Sequence, residues 1–283
     1  MKIAVSGSSG HLGKTVLALL QKTVSASQLV GLSRTPESVA PPIEGRVADF
    51  DRPETLPAAF AGIDRLFLIP SADLRPGVRG TQVTAAIEAA VAARVGHIYL
   101  LSATGTRAKA EPDIGAAYWV AEQRLIRSAA PSWTILRMSY FAETLAQEAQ
   151  MSLAGGMLVG LSESQVAYVS RDDVAAAVSG CLAGDGHEGA IYNLTGPARV
   201  SGAERAQLIG KITGKPMQFV VLDAEQMKAG LAQANMPDFL VGAVTTMQMA
   251  ISAGAYDIVT GDVRKLSGKE PQSLEQVLRR ELG

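Results

Sequence analysis

The first fourteen residues carry the pattern that most constrains this chain: a short apolar strand, a glycine-rich turn and a helix start follow one another directly. The glycines are spaced G-x-x-G-x-x-G, at Gly7, Gly10 and Gly13. Glycine at these positions allows a tight turn, a close approach of backbone to a pyrophosphate, and packing of the helix on the sheet. The free N–H groups of such a helix end bind phosphate. The stretch therefore predicts a nucleotide site, with a glycine-rich turn that binds no ligand as the alternative. The predicted contacts are Gly7, Ser9, Gly10, His11, Leu12 and Gly13.

Charge and composition exclude several classes of function. The formal net charge is −1 and no basic run appears, so we expect no nucleic-acid partner. The most apolar stretch, residues 83–103, is interrupted by charged residues, so no membrane segment is expected. The only cysteine, Cys181, allows no intrachain disulfide and fits a reducing cytoplasm. Three histidines and one cysteine show no metal-ligand spacing, so no metal is expected.

The end of the second predicted strand indicates which dinucleotide is preferred. A cofactor without a 2′-phosphate is usually held there by an acid about 20 residues after the glycines. This chain has Ser33-Arg34-Thr35 instead. The Arg34 guanidinium is suited to pair with a 2′-phosphate. The sequence thus favours NADP(H), with NAD(H) as the alternative cofactor and an ordinary surface arginine as the alternative role of Arg34.

Further predicted cofactor contacts follow the other strands. Asp49 ends the third predicted strand, where it either contacts adenine or only caps the next helix. The loop after the apolar fourth strand and the ends of the fifth and sixth strands should also border the cofactor. The residues at these three places are Ile69, Pro70, Ser71, Ser102, Ala103, Tyr140 and Phe141. Tyr140 and Phe141 are also suited to present aromatic faces to a flat substrate, with packing in the core or cleft as the alternative.

Five alternations of strand and helix predict a Rossmann-type doubly wound parallel sheet of the α/β class, with helices on both faces. We expect the nucleotide-binding domain at residues 1–150, with contributions from about 165–195. Looser periodicity predicts a smaller C-terminal α+β lobe at 151–283, in which residues 165–169 form a strand and a helix spans 237–253. The four methionines of the segment 227–249 favour a helical core over a pocket lining. A substrate should lie between sheet and lobe.

The helix after the fifth strand is where reductases of this kind carry a Tyr-x-x-x-Lys pair that protonates a carbonyl oxygen. Here it contains Tyr118 and, four residues later, Glu122. In extended dehydrogenases a glutamate typically falls one turn beyond the lysine. Alignment of Glu122 with that glutamate puts Tyr118 at the lysine position and Ile114 at the tyrosine position. We therefore expect the dyad to be absent and Tyr118 to orient the substrate.

The missing dyad and several ordered blocks resemble the NmrA-like family of atypical short-chain dehydrogenases, especially its type 2 quinone oxidoreductase and triphenylmethane reductase branch. The chain departs from the family at Met138, where proline is frequent, and at Tyr118, where a polar residue is usual. The resemblance implies a Rossmann-type domain, NADP(H) binding and, in some members, redox-linked regulation without catalysis. The matching blocks are residues 7–13, 122–125, 133–145, 168–175, 192–197 and 261–271.

The absence of the dyad restricts the chemistry. An alkoxide formed from a simple ketone needs proton delivery, whereas hydride transfer to a quinone gives a delocalised anion that water protonates later. The sequence therefore predicts an NAD(P)H-dependent oxidoreductase acting on a planar conjugated quinone or dye. The alternative is a non-catalytic NADP(H)-binding redox sensor. A monomer or a homodimer is expected in either case.

Overall fold

A seven-stranded parallel sheet forms the centre of the computed structural model, which describes residues 1–283. The two-stranded parallel sheet of the C-terminal half consists of the seventh and ninth strands. The nine strands are β1 (Ile3–Val5), β2 (Leu29–Ser33), β3 (Glu44–Val47), β4 (Arg65–Leu68), β5 (His97–Ala103), β6 (Trp133–Met138), β7 (Met157–Gly160), β8 (Ala190–Leu194) and β9 (Gln218–Val221). The central sheet has the order β3-β2-β1-β4-β5-β6-β8. This confirms the predicted doubly wound sheet.

Eleven α-helices accompany the strands, and none of them is long and apolar enough to cross a membrane. No group of three or more histidine, cysteine or acidic side chains is arranged to hold a metal ion. The helices are α1 (His11–Leu20), α2 (Leu56–Phe60), α3 (Val78–Ala92), α4 (Ile114–Ile126), α5 (Ala142–Ser152), α6 (Arg171–Ala183), α7 (Gly202–Thr213), α8 (Ala224–Gln233), α9 (Asp238–Ser252), α10 (Asp262–Ser267) and α11 (Leu274–Leu282).

Both faces of the central sheet are covered, as continuous apolar strands require. Along β1 the side chains alternate: Ile3 and Val5 join the core formed with α1, α6 and α10, and Ala4 joins the core formed with α2, α3 and α4. A third core lies in the C-terminal lobe, where α5 packs with α7, α9 and α11. Because α5 belongs to this third core, residues before 150 contribute to the lobe. The two-domain division stays a prediction.

Three segments differ from the sequence-based assignment. Residues 165–169 form no strand, because their amides bond to three separate partners: Val166 to Val200, Ala167 to Tyr256, and Val169 to Tyr140. The prediction of a strand there was wrong, since no single neighbour offers a continuous ladder. Conversely, the short β7 and the six-residue α10 were not predicted. β7 finds its partner in β9, and α10 packs on α6.

Glu122 ties three elements of the domain together. Its carboxylate is fully buried and accepts two hydrogen bonds from the Arg137 guanidinium, at 2.8 and 2.5 Å, and one from the Ser102 hydroxyl at 2.5 Å. These contacts join α4 to β6 and β5. Glu122 is therefore a structural ion-pair partner. This agrees with the expectation that Glu122 does not form a catalytic dyad with Tyr118.

We expect Glu122→Ala to lower the free energy of unfolding by about 3 kcal/mol, because the half-buried Arg137 guanidinium and the buried Ser102 hydroxyl lose their partner. Urea denaturation measures this loss. The matched control is Glu88→Ala, which breaks the exposed Glu88–Arg124 pair on neighbouring helices and should cost at most about 1 kcal/mol. Equal losses for the two variants would contradict the assignment of a structural role to Glu122.

Candidate active site

The glycine turn has a backbone geometry that side chains would prevent. Gly7 has a φ of +62°, in the left-handed region. A Cβ on Gly13 would lie 2.4 Å from the Gly7 carbonyl oxygen, and one on Gly10 would lie 3.3 Å from the same atom. The first turn of α1 therefore packs directly on the turn that follows β1.

The N-terminus of α1 has unused hydrogen-bond donors. The amides of His11, Leu12 and Gly13 have no acceptor in the protein, Gly10 supplies no side-chain cap, and the first turn contains no acid. The His11 side chain is exposed and lies 3.7 Å from the Asp172 carboxylate, while Leu12 packs on the core. These two residues thus offer backbone N–H groups. This end of the helix fits a pyrophosphate.

A cavity of about 550 Å³ opens beside this turn, at the carboxyl edge of the sheet where the strand order reverses between β1 and β4. We call it the nucleotide cavity. Eight of the predicted contacts line it: Gly7, Ser9, Gly10, Arg34, Asp49, Ile69, Pro70 and Ser71. Its other lining residues are Ser6, Leu32, Ser33, Ala48, Phe50, Asp51, Ala72, Asp73 and Gln82.

Among the charged residues that line the nucleotide cavity, Arg34 is the one whose charge is unpaired. Its side chain is exposed and forms no ion pair. The three carboxylates of the lining all have partners. Asp49 accepts the Arg52 guanidinium and the Asp51 amide, at 3.0 Å each, and Asp51 accepts the Gln82 amide at 2.6 Å. The hydrogen bond from Arg75 lowers the pKa of Asp73 to about 2. Asp49 therefore stabilises its own turn as well as bordering the cavity.

A second cavity, of about 400 Å³, adjoins the first and shares Ala72 with it. We call it the apolar cavity, since 12 of its 17 lining residues are hydrophobic. The sheet side contributes the ends of β5 and β6, and the lobe side contributes α5, α9 and Tyr256. No lysine lines it. Its residues are Ala72, Leu74, Arg79, Ala103, Ile114, Tyr118, Met138, Ser139, Tyr140, Phe141, Thr144, Glu148, Ala243, Val244, Met247, Gln248 and Tyr256.

Tyr118 borders the apolar cavity and is 9% exposed. Its hydroxyl has no hydrogen-bond partner in the protein, and the Arg79 guanidinium lies 5.2 Å from its ring centroid. Glu122 is occupied by Arg137 and Ser102, so Tyr118 and Glu122 form no acid dyad. The hydroxyl is free to donate to a ligand.

The remaining predicted contacts are distributed differently from expectation. Ala103, Tyr140 and Phe141 line the apolar cavity and not the nucleotide cavity. Ser102 lines neither, because its hydroxyl is buried against Glu122. The aromatic pair after β6 thus borders the substrate side of the site.

The lobe end of the apolar cavity contains a polar pair, Tyr140 and Glu148, that was not predicted from the sequence. The Tyr140 hydroxyl donates to the Glu148 carboxylate, and the Tyr140 ring packs edge-on against Tyr168 and Tyr256. Burial raises the pKa of Glu148 and of Tyr140. Burial thus favours the neutral form of the Glu148 carboxyl, and the hydrogen bond from Tyr140, which favours the charged form, offsets this only in part.

Sequence reasoning also missed Arg79 and Tyr256. Met247 lines the apolar cavity, which matches the less favoured of the two interpretations of the methionines. A signal existed for two of the missed groups. Arg79 shares a helix face with Val83 and Ala86, and Glu148 lies beside Leu145 and Ala149 on the buried face of α5. A charge on an apolar helix face indicates a site.

The comparisons agree with this geometry. The family described as NAD(P)H-binding matches residues 7–185, so the chain belongs to it. An NAD(P)H azoreductase of Xenophilus azovorans is 27% identical over 97% of this chain and 96% of its own length. The structure of an NADPH-dependent quinone oxidoreductase from Escherichia coli, complexed with NADPH, is 29% identical with a TM-score of 0.91, covering 99% of this chain and all of that one.

A triphenylmethane reductase from Citrobacter sp., solved with NADP(H), is 26% identical with a TM-score of 0.88 and covers 99% of this chain and 100% of that chain. The predicted resemblance to quinone oxidoreductases and triphenylmethane reductases is confirmed. So is the predicted class, an NAD(P)H-binding protein with a Rossmann-type sheet.

We expect Arg34→Ala to weaken NADPH binding by about 10- to 100-fold and NADH binding hardly at all. The reason is that a charge-assisted contact worth about 1.5–3 kcal/mol is lost only where a 2′-phosphate is present. Fluorescence titration of both cofactors measures it. Arg52→Ala, which removes a neighbouring arginine already paired with Asp49, serves as the matched control. Equal losses for NADPH and NADH in Arg34→Ala would show that Arg34 does not contact the phosphate.

Proposed function

We propose that this protein is an NADPH-dependent oxidoreductase that transfers hydride to a planar conjugated acceptor such as a quinone or a dye. The observation that carries the proposal is the junction of two cavities at Ala72. One fits a dinucleotide, and the other is apolar, partly aromatic and without a lysine.

The residues of the nucleotide cavity fit the cofactor. The free amides of His11, Leu12 and Gly13, which follow the lining residue Gly10, would hold the pyrophosphate, and Arg34 would bind the 2′-phosphate. When bound, NADPH supplies a hydride. The chain's part is to orient the two reactants at the junction and to exclude water with apolar side chains from α9 and the segment after β6.

The acceptor is inferred from what the apolar cavity lacks. Without a tyrosine–lysine acid, the product must tolerate delayed protonation, which a delocalised hydroquinone anion does and an isolated alkoxide does not. Tyr140 and Phe141 offer aromatic faces to a flat ring. The azoreductase, quinone oxidoreductase and triphenylmethane reductase among the relatives act, by their names, on acceptors of this type.

Stopped-flow oxidation of NADPH over a panel of quinones, azo dyes and triphenylmethane dyes tests the proposal. Turnover with at least one of these, and none with simple aliphatic ketones, is the expected result. Binding of NADPH without oxidation by any acceptor would instead support the non-catalytic redox sensor.

We also propose that the protein acts in the cytoplasm, as a monomer or a homodimer. Its single cysteine is buried in the core between the sheet and α6, which suits a reducing compartment. The residues that line the apolar cavity all come from one chain, so we expect activity in a monomer as well as in a homodimer.

We expect Tyr118→Phe to lower kcat with a quinone by about tenfold or less, because one hydrogen bond worth about 0.5–1.5 kcal/mol is removed. Steady-state kinetics measure it, with Tyr192→Phe as a matched control outside both cavities. A loss of more than about 100-fold, with unchanged NADPH affinity and loss of the basic limb of the pH–rate profile, would make Tyr118 the catalytic acid.

A further inference from the structure

Arg79 is a buried cation at the boundary of the two cavities. It is the second residue of α3, is 7% exposed and lines the apolar cavity. Its Nε donates to the Ser71 carbonyl oxygen at 2.8 Å, and Ser71 lines the nucleotide cavity. Its guanidinium lies over the Tyr118 ring. The charge is thus fixed close to where the cofactor and the acceptor meet.

This charge forms no ion pair in the protein, and the Asp73 carboxylate, which interacts with it at longer range, is held by Arg75. No carboxylate lies within 4.0 Å of the Arg79 guanidinium, and its two terminal nitrogens donate to no protein acceptor. A buried cation is unfavourable unless it is paired, and its place in the first turn of α3 adds repulsion from the positive end of the helix. The Tyr118 ring compensates only part of this cost. The arrangement fits a ligand that carries negative charge or develops it during the reaction.

The carboxylates nearest to Arg79 are already engaged. Asp73 is bound by Arg75, Asp113 by Arg107, and Glu111 accepts the Gly77 amide. Glu148 lines the same cavity from the lobe side, where it accepts the Tyr140 hydroxyl. The Arg79 N–H groups are therefore free to bind a group inside the apolar cavity.

We propose that Arg79 is a catalytic residue that binds the carbonyl oxygen of a neutral quinone and stabilises the negative charge that develops on it. The inference rests on the proposed function. A quinone that takes a hydride from the reduced nicotinamide gains two electrons and one proton and becomes the hydroquinone monoanion, and the nicotinamide is left oxidised. A proton from water then gives the hydroquinone. Arg79 thus fulfils the electrostatic part of the role of the absent tyrosine–lysine pair.

The charge of Arg79 also determines which acceptor the site prefers. A cationic triphenylmethane dye loses its positive charge when hydride arrives, so no anion develops and the nearby guanidinium opposes its binding. The structure therefore assigns this protein to neutral quinones rather than to cationic dyes.

The test is the ratio of kcat/KM for a neutral naphthoquinone to kcat/KM for a cationic triphenylmethane dye. In Arg79→Met we expect kcat/KM for the quinone to fall by about 100-fold, because the developing anion loses its partner. We expect kcat/KM for the dye to rise by about threefold, because the repulsion between two cations is removed. Arg79→Lys keeps the charge and should recover part of the quinone rate. The control Arg124→Met removes an exposed arginine that is paired with Glu88 and lines neither cavity, and it should leave the ratio unchanged. Equal falls for both substrates in Arg79→Met would overturn the proposal.

A binding measurement tests the role of Arg79 independently of the proposed oxidoreductase function. In the presence of NADP⁺, 4-nitrophenol bound to the unaltered protein should ionise at a lower pH than free 4-nitrophenol, and this shift should be absent in Arg79→Met. Absorbance of the phenolate reports it without turnover. If the unaltered protein reduces no acceptor yet shows the shift, the proposed function fails and the anion site stands. The same ionisation in both proteins would contradict the role of Arg79.

Discussion

The contact between Gly13 and the Gly7 carbonyl is the constraint on which the site depends. A Cβ at residue 13 would lie 2.4 Å from that oxygen, so only glycine lets α1 begin directly at the carboxyl end of β1. The resulting helix end leaves three amides free at the point where the strand order reverses. The phosphate site therefore follows from backbone packing, and the side chains around it adjust affinity and selectivity.

The substrate side is built differently, because its walls come from elements far apart in the chain. The ends of β5 and β6 supply one wall, while α5, α9 and Tyr256 supply another. The two ionisable groups are separated along this cavity: Arg79 lies at the nucleotide end, and Glu148, whose pKa is raised by burial, lies at the lobe end. Because the unpaired cation lies at the end of the cavity where hydride is transferred, the cavity favours an acceptor that becomes negative as it reacts.

Most of the fold and the nucleotide side could be predicted because their signals are local. Apolar runs at residues 65–69 and 97–102 give central strands, and the glycine spacing gives the turn between β1 and α1. The strand at residues 165–169 was predicted wrongly because a short apolar run does not show whether one neighbour supplies the whole ladder. Arg79, Glu148 and Tyr256 were missed because only tertiary packing brings α3, α5 and the lobe around one cavity. The sequence places each of these three residues on an apolar helix face or beside a turn, but it does not show which element packs against that face.

The central claim is that the glycine turn binds NADP(H) beside an apolar cavity in which Arg79 binds the oxygen of the acceptor. A crystal structure of the protein with NADP⁺ and 4-nitrophenol tests it most directly. The account predicts the pyrophosphate at the amides of His11, Leu12 and Gly13, the 2′-phosphate at Arg34, and the aromatic ring in the apolar cavity with its phenolate oxygen hydrogen-bonded to Arg79. A nucleotide bound away from the glycine turn, or a phenolate oxygen directed to Glu148 with Arg79 unbound, would contradict it.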